Sequence, residues 1–450
     1  MKTFILSSVI LTQTLLLLGQ HSDILERYIQ LGIDSNLALQ QEELQVLQSI
    51  EDLKQARGLF LPEVTFNASY IRAQGGRDIL IPVGDLVNPI YQQLNALTDQ
   101  QSFPTNIPNE KEQFLPDNFH DTRVELRQPL FNSEIYHNYR AKQAMIGISE
   151  SKKMTYEREL IKEIKVAYFQ YLRAHAVRNT YLNTKTLLDE LLRVNQAMVQ
   201  NHKATIDVVY RAQFEISDIE SKIAQADKQV TLAASYFNFL LNQDLDSVIE
   251  IDSNLVVPEP IESELSNLEI QALSSRDELS QLSHALKAQD HLLKLQKGKK
   301  LPNIALAAQA GYQGFGYDFN QDQDYALLSL NLEIPLFTGF QNNSKVQRSE
   351  IQLRQLELEQ ENLKNQIRLE VIEAYRSLQA AKSSYNAQKA AAKSADKTFE
   401  IIRRKYQENL VLLVEFLDAR TEYTNSQTSL AIAQYMVMIR TAELERAVSL

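Results

Sequence analysis

Cysteine is absent from all 450 residues. That excludes disulfides, thiolate metal sites and the lipid-attachment cysteine of a lipoprotein. Proline and glycine are scarce and unevenly placed: residues 130–257 contain no proline and only Gly147, and residues 340–450 contain neither. Nothing in either stretch forces a helix to end. Beyond Leu18 there is no long apolar run, so no inner-membrane type of helix is expected there. A basic surplus is missing too. The net charge is −11, and without a basic stripe to neutralise phosphates nucleic acid is not an expected partner.

What is present is said twice. Leu61-Pro62 and Pro129-Leu130-Phe131 bracket one segment, Leu301-Pro302 and Pro335-Leu336-Phe337 bracket another, and a long helical stretch follows each. The second stretch carries Leu353, Leu356, Leu363, Ile367, Ala374, Leu378, Ala381 and Tyr385; the first carries Tyr156, Leu160, Ile164, Ala167, Tyr171, Ala174, Tyr181 and Leu188. Spacings of three, four and seven place an apolar seam along one helical face. Ala167-Tyr168 aligns with Ala374-Tyr375, Ala212 with Ala419 and Glu215 with Glu422, all 207 residues apart, so the chain is read as an internal duplication. Breaks at Asn201-His202-Lys203-Ala204-Thr205 and Glu408-Asn409-Leu410 turn each stretch into a helical hairpin.

Between the prolines the period becomes two. Val64, Phe66, Ala68 and Tyr70 alternate with Thr65, Asn67 and Ser69, and Val124 and Leu126 with Arg123, Glu125 and Arg127. Ile304, Leu306, Ala308, Ala310 and Tyr312 form one face of a third strand, and Leu328, Leu330, Leu332 and Ile334 one face of a fourth. Such strands belong either to a half-buried soluble sheet or to a membrane barrel with lipid outside and water inside. Two hairpins cannot close a barrel alone, so the membrane reading requires three chains supplying twelve strands.

At the N-terminus, Met1-Lys2, the apolar run Phe4 to Leu18 and Gly19-Gln20-His21 read as a secretory signal peptide cleaved after Gly19. With that segment, the duplicated helix, strand pair and helical hairpin, and the paired Leu-Pro and Pro-Leu-Phe junctions, the mature chain resembles the TolC-type outer-membrane efflux proteins. The expected fold is mainly α with a small membrane β part. The expected division is signal peptide 1–19, first repeat 20–244 (strands 63–73 and 121–129, helical hairpin 132–242), linker or equatorial segment 245–265, and second repeat 266–450 (strands 302–313 and 325–335, helical hairpin 339–448). The resemblance implies a homotrimer whose twelve-stranded barrel sits in outer-membrane lipid and continues as a helical tunnel in the periplasm. It further implies an exit duct of a tripartite efflux or type I secretion system, opened by a periplasmic adaptor and an inner-membrane efflux pump or ABC transporter.

Tyr406-Gln407-Glu408-Asn409 through Glu415-Phe416-Leu417-Asp418-Ala419 resembles the family's tip motif. The resemblance assigns Tyr406, Glu415, Asp418 and Asp207 to the aperture and its gating, and Asn201, His202, Lys203, Thr205, Asn409, Leu410 and Val411 to adaptor contact. Asn409 stands where the family has glycine, and Val411 where some members have arginine. Glu415 and Asp418, three residues apart, face nearly the same side. Either they make acidic rings around a pore or they simply stabilise a helix N-terminus. Thr205 reads equally as an N-cap.

Residues 74–120, rich in proline and glycine, and 314–324 read as interstrand connections, either folded over the mouth of a barrel or plainly solvated. His284 and His291 are two helical turns apart without a third ligand, and no acid and base pair is identifiable, so neither a metal, a cofactor nor an enzyme is expected. A secreted or periplasmic coiled-coil scaffold is the alternative function. An adaptor is disfavoured, since it would carry one hairpin and glycine-rich β domains.

Overall fold

The computed structural model describes residues 23–252, 255–258 and 264–449. The expected signal peptide lies outside them, as does Pro260 of the linker. In order, the elements are α1 (Asp23–Ser35), α2 (Leu37–Gly58), β1 (Glu63–Ile71), β2 (Asp78–Ile81), α3 (Val83–Thr98), β3 (Glu110–Gln113), β4 (Phe119–Phe131), α4 (Ser133–Gln200) and α5 (Asp207–Leu240). The second half follows with α6 (Leu265–Ser275), α7 (Asp277–Gly298), β5 (Asn303–Phe315), β6 (Asp324–Glu333), α8 (Gln341–Gln407) and α9 (Leu413–Val448). No described helix is long and apolar enough to cross a membrane. The chain forms two compact units, one of residues up to 51 with 143–289 and 352 onward, the other of 52–142 and 290–351.

The first unit is helical, and its seams pack as their spacing demands. Leu160, Ile164, Ala167 and Tyr171 on α4 bury against Leu25 and Ile29 on α1 and Phe237 and Leu240 on α5. Ile367, Leu378 and Ala381 on α8 bury against Leu268 on α6 and Val437 and Leu444 on α9. The duplication extends to individual polar contacts. Asn36, between α1 and α2, donates Nδ2 to the Leu240 carbonyl at 3.0 Å; Arg276, between α6 and α7, donates to the Ala447 carbonyl at 3.2 Å. Ser35 donates to the Leu241 carbonyl and Ser275 to that of Val448. Each serine or pivot residue lies 240 residues from its counterpart, and each carbonyl 207. Both repeats therefore dock their short helices on the last turn of their own hairpin.

Chemistry differs at the two pivots. Asn36 also caps α2 through Oδ1, whereas buried Arg276 reaches Glu278 and Glu370 at 2.9 Å. Arg446 joins at 2.7 Å from Glu278. Burial alone would raise the Glu278 carboxyl, but the hydrogen bonds from Arg276 and Arg446 outweigh it and hold the group at about 2. A carboxyl depressed in the folded state stabilises above its unfolded value near 4.5 and loses that contribution as pH falls towards about 2. Thermal melts between those limits should show wild type losing midpoint steeply. Glu278→Gln should start lower at neutral pH, by about 3 kcal/mol, because two guanidinium groups lose the carboxylate charge they share and one of its two acceptor oxygens, and should change less with acid.

The second unit holds a four-stranded antiparallel sheet in the order β1-β4-β5-β6. Its register aligns Phe66 with Val124, Val124 with Ala310, and Ala310 with Ala326; Val64, Leu126, Ala308 and Leu328 form the next row. All four apolar sets thus share one face, which is open: Phe66 is 70% and Leu330 66% exposed. The opposite face carries Asp121, Arg123 and Glu125, with Arg123 paired to Asp121 and 3.8 Å from Glu125. Aromatic rings mark both ends. Tyr70, Tyr312, Tyr317 and Phe319 meet edge to face at 5.3–5.7 Å near the β5–β6 turn, and Phe60–Tyr139 and Phe337–Phe340 meet edge to face at 5.8 and 5.5 Å at the other end. Among the described residues, strands β1 and β6 each have one edge without a partner strand.

The connection 72–118 departs from the loop expectation. It folds as a two-stranded β2–β3 ribbon with helix α3 between its strands. Two asparagines seven residues apart do much of the holding: Asn88 exchanges two 2.9 Å hydrogen bonds with the Ile107 backbone, and Asn95 bonds at 2.7 and 3.0 Å to that of Phe103. Gly84 lets the return segment approach, since a Cβ there would sit 2.1 Å from the Ile107 oxygen.

Candidate aperture site at the hairpin tips

The two hairpin turns have the same construction. His202 and Asn409, 207 residues apart, are left-handed at φ 56° and 59°. The amides of His202 and Lys203 bond back to Val199 and Met198 (3.0 and 2.8 Å), and those of Asn409 and Leu410 to Tyr406 and Lys405 (3.0 and 2.9 Å). This is the pairing that closes a helix with a left-handed residue, normally glycine. Asparagine and histidine are among the few other residues that tolerate it, so the missing glycine at Asn409 does not prevent the turn. Thr205 does not act as an N-cap: its hydroxyl bonds to the Asp207 carboxylate, and α5 begins with no side-chain cap.

Behind the turns lies an apolar cluster of Leu188, Leu191, Phe399, Tyr406, Phe416 and Leu417, with Val411 packed at its margin. Tyr406 is buried, its ring 5.0 Å from that of Phe416. Its hydroxyl donates to Asn195 Oδ1 at 2.7 Å, and Asn195 Nδ2 donates to the Val208 carbonyl at 3.0 Å. One fully buried amide on α4 thereby ties the end of α8 to the start of α5. Burial pushes the Tyr406 phenol up, with the Asn195 bond opposing, so it remains a donor at physiological pH. Two further ties join the repeats: Thr184 to Thr424 at 3.0 Å, and buried Arg420 to Glu215 at 2.5 Å, with Arg211 3.0 Å from the same carboxylate.

The rotation of α9 follows from what it buries. Phe416, Leu417, Arg420 and Thr424 turn into the cluster, leaving Glu415 and Asp418 exposed on the other side. Asp207 is exposed as well, as are Asn201, His202, Lys203, Thr205, Asn409 and Leu410. Tyr406 therefore lies inside the tip and Val411, partly buried, at the margin of the same cluster, while the other sequence-assigned residues stand on its surface. Asn195, Thr184, Glu215 and Arg420 were missed as site residues. For Asn195 a signal existed: it continues the apolar series Leu188, Leu191 at the next seam position, and a polar residue in a seam must find a partner.

Nothing metal-binding assembles: among the described residues no three His, Asp or Glu side chains could hold an ion. His284 and His291 do not pair with each other. His291 stacks on His137 with ring centroids 5.8 Å apart, and His284 lies over Gly147, where a Cβ would be 2.5 Å from its ring. The lone glycine of α4 is thus a seat for an imidazole. Desolvation, reinforced by the neighbouring imidazole and Lys294, lowers His137.

Residues 269–449 match the model of the outer membrane efflux protein family. Outer membrane protein TolC of Salmonella enteritidis is 22% identical over 96% of this chain and 82% of its own length. Among solved structures, the CmeC outer membrane channel of Campylobacter jejuni superposes with a TM-score of 0.75 at 16% identity, covering 95% of this chain and 85% of the other. The outer membrane protein VceC of Vibrio cholerae does so with 0.75 at 16% identity, covering 94% and 95%. The two structural likenesses establish the fold, and with the outer membrane efflux protein family matched across residues 269–449 and TolC similar along nearly the whole chain, this protein resembles the outer-membrane efflux proteins in both of its repeats.

Proposed function

We propose that the protein is the passive exit duct of a tripartite efflux or type I secretion system. Three copies complete a twelve-stranded barrel in the outer membrane, and their hairpins form a periplasmic tunnel that an adaptor and an inner-membrane pump or ABC transporter open. The observation that carries this reading is the sheet: a continuous apolar face exposed to solvent, aromatic rings at both ends, and two open edges. Such a surface is unfavourable in water and suited to lipid and to neighbouring strands. A soluble scaffold would bury that face. The repeats are taken as 20–244 and 266–450, joined by 245–265. The chain does no chemistry in this role; the pump selects the cargo.

At the tip, Glu415 and Asp418 are proposed to become two rings of three carboxylates lining the closed aperture, with Asp207 beside them. Their exposure and lack of ion pairs among the described residues support a pore-facing role over a structural one. The exposed tip residues Asn201, His202, Lys203, Thr205, Asn409 and Leu410, with Val411, are proposed to meet the adaptor. In planar bilayers the wild type should prefer cations. Glu415→Gln combined with Asp418→Asn should remove most of that preference; unchanged selectivity would exclude the acids from the pore.

A further inference from the structure

We propose that helix α3 is an assembly element: three copies of it pack against one another through the stripe Leu86, Ile90, Gln93 and Leu97. The inference rests on the trimeric reading above but concerns a part of the chain which that reading leaves unassigned.

The insertion is peculiar to the first repeat. Gly58 and Pro62 precede Gly298 and Pro302 by 240 residues, whereas the hairpins keep an offset of 207, so 33 additional residues sit between β1 and β4. They form a built structure rather than a slack loop. Asn88 and Asn95 lock one face of α3 to the return segment, Asp85 and Asn109 exchange further hydrogen bonds, and the stem is closed by Arg72–Asp117 at 3.0 Å and Phe114 to the Arg77 carbonyl at 3.0 Å. With its inner face so occupied, the helix leaves a second apolar face unused: Leu86 is 66%, Ile90 58% and Leu97 82% exposed.

Three features point to other copies of the chain as the occupant. Spacings of four, three and four are those of a coiled-coil seam, with Gln93 as the single polar position that fixes register. Asp85 is the only charged residue among the sixteen of α3, so like helices can approach without repulsion. The insertion also grows from β1, an edge strand of the sheet, and so starts at the seam where a neighbouring chain adds its own strand. Charge argues against a lipid surface. Residues 72–118 hold six acids and three bases, net −3, and α3 lacks the lysines and arginines of a helix that lies on anionic membrane.

The cysteine-free sequence makes the test clean. Leu86→Cys, Ile90→Cys and Leu97→Cys, each in the full-length protein in outer membranes, are treated with a short bifunctional maleimide beside Gln92→Cys, which points off the stripe. The same preparations are weighed by native mass spectrometry in detergent. Crosslinked chain pairs several-fold more abundant from the stripe positions than from Gln92→Cys are expected. A trimer that yields no stripe crosslinks, or equal crosslinking at Gln92→Cys, overturns the inference and leaves the duct reading standing. Absence of a trimer overturns both. Quenching of stripe-attached fluorophores by brominated lipid, without crosslinks, would assign the helix to the membrane and overturn it as well.

Discussion

Tyr406→Phe is expected to open the duct while leaving the fold intact. The ring keeps its place against Phe416, so apolar packing is preserved, but the hydroxyl bond to Asn195 is lost and a buried amide oxygen loses its donor. That costs about 1–2 kcal/mol in the closed tip. If opening parts α8 from α4 in all three chains together, the closed state loses about 3–6 kcal/mol, a shift of roughly 10²–10⁴ in the closed-to-open ratio. Time-averaged conductance in planar bilayers should rise accordingly, and cells should become sensitive to large antibiotics that the closed duct excludes. Asn195→Ala removes the bond to Val208 too and should act in the same direction, more strongly. Wild-type conductance in both variants would make the Tyr406–Asn195–Val208 chain an ordinary packing feature and remove gating from its role.

The second large effect is expected on the sheet. Leu330 lies mid-strand on the apolar face, opposite Leu306, while Asn331 points to the polar side, paired with Ala305. Leu330→Arg would place three charges at the height of the bilayer core at about 2–4 kcal/mol each. Heat-resistant trimer in the outer-membrane fraction should largely disappear. Asn331→Arg, one residue away but on the opposite face, which the duct reading turns to water, should assemble normally. Equal tolerance of both substitutions would mean that the apolar face meets no lipid. The pair is informative because it holds residue type and strand constant and changes only the face.

Much of the architecture was legible because it rests on periodicity. Leu160, Ile164, Ala167 and Tyr171 repeat at helical spacing and lie in a core; Val64, Phe66 and Leu330 alternate and share a face. Two apolar surfaces of different period in one chain, each duplicated, leave few folds open. What escaped was set by contacts remote in sequence or by side chains acting on backbone. The β4–β5 pairing joins strands about 180 residues apart. The insertion reads as loop because Gly75, Gly76, Pro82, Pro104 and Pro108 punctuate it, yet Asn88 and Asn95 supply the backbone bonds that a strand partner would otherwise give. At the tip, Tyr406 carried a motif, but its partner Asn195 lies 211 residues earlier. The rotation of α9, which exposes Glu415 and Asp418, became readable only through the burial of Phe416, Leu417 and Arg420. Equivalent positions also diverge: Asn195 corresponds to Ile402 in the duplicated register, so one repeat contributes the polar grip and the other only apolar surface.

The most direct test of the whole reading is electron cryomicroscopy of the detergent-extracted, full-length protein. Three copies about one axis, with twelve strands closed into a ring by pairing β1 of each chain to β6 of the next and a water-filled lumen inside the helices, is the expected result. A monomer, or a helical bundle packed solid to its centre, would contradict it.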